Sequence, residues 1–129
     1  VNDNVVLFGY HSTDGGSSFD TTSGDYSGNT NAFTGFQVSA QAGNVGSDTN
    51  EFGVSGIAHL IAPHLAAFTT MVTVGIATQD TNGDIIPAIR SNGGTIARLA
   101  AEDTDAIKFA FSAGNIESGE ITMFGIVNS

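Results

Sequence analysis

The chain has 129 residues, 13 acidic side chains against three basic ones, a formal charge of -10, and neither cysteine nor tryptophan. That length fits one domain, residues 1–129, with enough apolar sequence for a core that needs no staples. The absence of cysteine excludes disulfides and thiolate metal sites, and three scattered bases, Arg90, Arg98 and Lys108, argue against nucleic acid or an anionic membrane as partner.

No stretch reaches the roughly 18 apolar residues of a membrane span, and no leader pattern opens the chain. Residues 4–10 (NVVLFGY) read as a strand with Val5 and Leu7 on one face and Val6, Phe8 and Tyr10 on the other. Asp14-Gly15-Gly16 then signals a turn. Residues 17–31 are polar and glycine-rich, relieved only by Phe19 and Tyr26, and hold at most one short strand. Residues 32–40 contain a short strand around Phe36 and Val38, and 41–52 form a polar connection.

Residues 54–62 (VSGIAHLIA) read as a strand stopped by Pro63. Residues 67–78 (AFTTMVTVGIAT) are the clearest strand. Its pattern assigns Phe68, Val72, Val74 and Ile76 to the core, with Thr70 among them, and Thr69, Met71 and Thr73 to the opposite face. A turn around Asn82-Gly83 leads to short strands at 85–89 and 95–100, and residues 99–105 allow one helical turn. Residues 106–126 (AIKFAFSAGNIESGEITMFGI) read as a closing β-hairpin. Ile107, Phe109 and Phe111 share a face of its first strand, and Ile121 and Met123 share a face of its second. Phe124 and Ile126 fall on the face that would meet water.

The sum is seven or eight short strands with turns between them and no long amphipathic helix. That pattern predicts an all-β fold, an antiparallel β-sandwich of jelly-roll type. No repeat, linker or charge block divides it.

Catalytic patterns fail one by one. His59 and His64 are five apart across Pro63 and lack helical metal-ligand spacing; His59 is read as a strand residue with a satisfied partner. Gly53-Val54-Ser55-Gly56 is followed by Ile57, which breaks the G-x-S-x-G pattern of a nucleophile elbow. The carboxylates lie in Gly-, Ser- and Thr-rich loops, not in the apolar pocket a glycosidase acid needs. Asp80-Thr81-Asn82-Gly83-Asp84 alternates oxygen ligands as a calcium loop does, but no glutamate closes it, and an Asn-Gly turn accounts for it. No enzyme activity, cofactor or metal is expected.

FSAGNIESGEITMFGI (residues 111–126) resembles the closing hairpin of a family of bacteriophage virion proteins. Their chains end in an aromatic strand, S-G-N-I-x-S-G, a β-branched residue, then a short aromatic strand ending in Tyr or Phe, Gly and Ile. Gly114-Asn115-Ile116, Ser118-Gly119 and Phe124-Gly125-Ile126 match. STDGGSSF (12–19) resembles the family's first hairpin, GIAHLIAP (56–63) its central strand, and residues 107–111 the strand before the closing loop, all in the family's order. Family members usually begin with a further aromatic strand that is missing here, so the chain is expected to lack an N-terminal strand and to expose a sheet edge unless another chain covers it.

The resemblance implies a structural module on the outside of a phage virion, of tail-fibre or receptor-binding type, with capsid decoration as the alternative. Its expected partners are other virion proteins and further copies of itself, a trimer being favoured, with a host-surface glycan as a further partner. Strand faces that are apolar on both sides suit such assembly, which makes Phe8, Tyr10, Phe124 and Ile126 the expected interface. A carbohydrate-binding module is the other non-enzymatic alternative; Phe19 and Tyr26 would be its only sugar platform.

Overall fold

Runs of β-branched and aromatic residues between Gly, Ser and Asn turns leave strands as the only regular structure among the described residues. The structure, a computed structural model, describes residues 5–27, 32–38, 45, 53–79, 86–91, 96–116 and 118–125. Its strands are β1 (Leu7–Ser12), β2 (Tyr26–Ser27), β3 (Ala32–Phe33), β4 (Phe36–Gln37), β5 (Val54–Ile61), β6 (Ala67–Gln79), β7 (Ile86–Ser91), β8 (Ile96–Glu102) and β9 (Ala106–Phe111).

They form two antiparallel sheets, the all-β sandwich expected from the sequence. The small sheet runs β4-β1-β9; the large one runs β3-β2-β8-β6-β5, with β7 beside the far end of β6. The sheets meet through Tyr26 and Phe36, whose rings sit edge to face at 5.0 Å, and Met71, with Val38, Leu60, Ile107 and Phe109 around them. A second cluster joins Val5 and Val45 to Val54 and Phe111. The layers approach closely at Gly9, where a Cβ would lie 3.2 Å from Ile107 and 3.3 Å from Met71.

Three expectations are corrected. First, β6 is turned over. Thr69, Met71 and Thr73 are buried and Phe68 is 62% exposed. The reason is polar: the Thr69 hydroxyl accepts a hydrogen bond from Thr104 at 3.1 Å, so the buried threonine is satisfied.

Second, residues 99–105 make no helical turn. β8 continues to Glu102 because Ala101 and Glu102 pair with Phe68 and Ala67 of β6. The chain then crosses to the small sheet, with Thr104 N–H donating to Pro63 O at 2.6 Å and Asp105 N–H to Ser12 O at 3.0 Å.

Third, only half of the closing hairpin forms. β9 pairs with β1 along its length, but Ile121–Gly125 joins no described strand. Ser112 fixes the end of β9 by donating its N–H to Val6 O at 2.8 Å and accepting from Val6 N–H at 3.1 Å. Gly114, at φ 73°, then adopts a left-handed conformation just beyond, where the chain leaves the sheet.

Candidate interaction surface

The densest polar cluster lies inside the sandwich. Arg98, on the inner face of β8 opposite Tyr26, is 6% exposed and sits over the Tyr26 ring at 5.4 Å. Its Nη2 reaches Asp20 Oδ2 at 2.8 Å and Glu102 Oε2 at 3.0 Å, and its Nη1 reaches Asp25 Oδ2 at 3.4 Å. Burial alone would raise the Asp20 carboxyl, but hydrogen bonds from Thr22 and the charge of Arg98 hold it below its ordinary value.

His11 extends the network. Its Nδ1 is 2.7 Å from the Thr104 hydroxyl and its Nε2 is 3.5 Å from Glu102. The Tyr26 hydroxyl accepts from His11 N–H at 3.1 Å and donates to Asp20 O at 2.8 Å. Burial, above all, pushes the Tyr26 phenol up to about 12. One guanidinium pairs with all three carboxylates, and no cluster of three or more His, Asp or Glu among the described residues is arranged to hold a metal. The cluster joins β1, β2 and β8.

The outward features are apolar. The antiparallel register puts Ile57, His59 and Ile61 of β5 opposite Val74, Val72 and Thr70, hence on the same outer face as Phe68. Leu99, one residue beyond buried Arg98, points the same way. Ile57, Ile61, Phe68 and Leu99 are each at least half exposed. His59 is exposed on this face too. β5 is the last strand of its sheet, so among the described strands its outer backbone edge is unpaired.

Beyond Ser112 the chain becomes an arm that exposes several large apolar side chains. Ile116, Ile121, Met123 and Phe124 are exposed, Phe124 at 84%.

The expected interface residues are therefore separated. Phe8 and Tyr10 sit on the outer face of the small sheet, half-buried, with ring centroids 5.9 Å apart. Gly35 leans on the Tyr10 ring, so part of this face is covered from within the chain. Phe124 is on the arm and Ile126 lies outside the described residues, as does the 80–84 loop. Phe19 and Tyr26 form no sugar platform, because Tyr26 is wholly buried and Phe19 is half-buried beside Lys108, whose Nζ lies 5.8 Å from its ring.

The alternation of β6, which assigns Phe68 to the core, hides the outer face of β5, β6 and β8 from the sequence. One sequence signal marks it: residues 53–79 contain no Asp, Glu, Lys or Arg in a chain of charge -10.

No protein-family model, curated protein or solved structure matches the chain.

Proposed function

We propose that this chain is a non-enzymatic structural module on the exterior of a phage virion, of tail-fibre or receptor-binding type, assembling with copies of itself and with other virion proteins. The observation that carries the assembly half is the exposed outer face of β5, β6 and β8, with Ile57, Ile61, Phe68 and Leu99 open to solvent. Large exposed apolar patches mark interaction sites, and β-rich sandwiches serve many functions, so the surface and not the fold supports the reading. The virion half rests on the ordered resemblance of four segments to phage structural proteins. Capsid decoration is the second reading, favoured by the exposed arm, which suits a small protein that clasps its neighbours on a shell.

Light scattering of the purified chain tests the assembly half. A defined oligomer, with a trimer expected, supports it; a monomer at every concentration defeats it. Immunogold labelling of intact particles of the phage that encodes the chain tests the other half. Label on the tail supports the first reading, label on the head the second, and unlabelled particles neither.

A further inference from the structure

We infer that the C-terminal arm of one copy adds as a strand to the free edge of β5 in a neighbouring copy. The inference takes from the proposed function only that copies associate, and it names the surfaces that do so.

Two features of the same chain lack a partner among the described residues and fit each other. β5 offers eight residues of strand at the end of its sheet, most of them exposed. Its sequence, VSGIAHLI, has neither the lysine nor the internal proline that protects natural edges. Ile121–Gly125 (ITMFG) offers a short β-prone run that joins no described strand and whose Ile121, Met123 and Phe124 are 65%, 75% and 84% exposed. Main-chain pairing along a sheet edge, with alternate side chains filling the two faces, is an established way for an extended segment to bind.

The alternation explains why the arm is apolar on both sides. In an added strand, Ile121 and Met123 would continue one face of the large sheet and Phe124 the other. β5 is receptive on both: Ile57 and Ile61 are open on the outside, and Leu60 is only half-buried on the inside.

Charge selects the partner. Each copy carries -10, so most of its surface repels another copy. Residues 53–79 and 121–129 carry no Asp, Glu, Lys or Arg, so here two copies can meet without that repulsion, while a cationic partner gains nothing.

Reach is sufficient. From Ser112, fixed to Val6 by two hydrogen bonds, the chain to Phe124 can extend roughly 40 Å. A domain of this size has a radius of gyration of only about 14 Å. Each copy would give one arm and receive one, which closes as a symmetric ring or a reciprocal pair.

The test uses the full chain and two single variants at exposed positions, Phe124→Asp on the arm and Ile57→Lys on the edge. Light scattering should show the unaltered chain as an oligomer and each variant as a monomer, all three with the same circular dichroism spectrum. A labelled peptide spanning residues 119–129 should then bind Phe124→Asp, whose β5 edge is intact and vacant. It should bind Ile57→Lys weaker by about tenfold or more. An oligomer that survives both substitutions, or a peptide that binds both variants equally or neither, overturns the inference and leaves the assembly reading standing. A monomeric unaltered chain overturns both.

Discussion

Phe68 and Thr69 are neighbours in β6, and the sandwich buries the threonine completely while leaving the phenylalanine 62% exposed. Hydrophobicity alone would place them the other way round. The order is set by the Thr69 hydroxyl, which accepts from Thr104, whose own oxygen lies 2.7 Å from His11 Nδ1. Thr69→Val keeps the volume and removes the acceptor, so it should destabilise the folded chain by about 1–3 kcal/mol. Phe68→Ser should change monomer stability by no more than about 0.5 kcal/mol. Urea unfolding of the two variants gives the comparison; a larger cost at Phe68 would reverse the assignment of faces.

Arg98 pairs with Asp20, Asp25 and Glu102 at once. Arg98→Met removes the cation from Asp20, which is 19% exposed, while Asp25 and Glu102, at 43% and 45%, stay largely solvated, so it should cost about 1–3 kcal/mol at pH 7. The pH dependence gives the charge away. In the unaltered chain the Asp20 carboxyl is depressed, so its stabilisation is present above the ordinary aspartate range and is lost as pH falls. In the variant the Arg98 charge no longer depresses Asp20, so less stability is lost as pH falls. The two curves should converge toward pH ~4. A deficit that stays constant from pH 7 to pH 4 would make the loss one of packing, not charge.

How much of this was legible in the sequence follows from range. β5, β6 and β9 are marked by local runs and by Pro63, and the turn at Asp14 by its glycines. There Asp14 accepts from Ser18 N–H at 2.9 Å and from the Ser12 hydroxyl at 2.8 Å, while Gly15 and Gly16 take positive φ. These are contacts within a few residues. The buried network is not local: Thr104 lies 35 residues from Thr69 and 93 from His11. Nothing near Thr69 announces a partner for its hydroxyl, so a threonine there reads as outward and its phenylalanine neighbour as core. The same error hid the candidate surface. The arm was misread for a related reason. An alternating apolar run after a Gly-rich loop specifies a strand, but not which strand it pairs with.

Gly35 sets the other boundary of the small sheet. A Cβ there would lie 2.9 Å from the Gly9 carbonyl oxygen and 2.9 Å from the Tyr10 ring. The carbonyl belongs to the central strand β1 and cannot yield cheaply. Gly35→Ala should therefore cost about 1–3 kcal/mol, while Gly119→Ala, which meets nothing within 4 Å, serves as the control. Equal melting temperatures for the two would mean that β1 shifts freely, against its tight packing at Gly9.

The two tyrosines supply a pH readout of the core without any label, since the chain has no tryptophan. Burial is the main cause that raises both phenols, Tyr26 to about 12, outweighing the hydrogen bonds and the Arg98 charge that act the other way on Tyr26. A phenol whose folded value lies above its unfolded value contributes its stabilisation in full at neutral pH. Its unfolded form ionises near pH 10, so the folded state loses ground as pH rises from 10 toward 12. Phenolate absorbance should thus show no ionisation of Tyr26 near pH 10 in the folded chain. Tyr26 should ionise only as the sandwich opens, in step with loss of the circular dichroism signal. Tyr26→Phe should remove that late step and leave Tyr10 to ionise first and alone. A full two-tyrosine titration centred at pH 10, with the β signal intact, would mean that the Tyr26 ring is not held where its packing against Phe36 and Arg98 puts it.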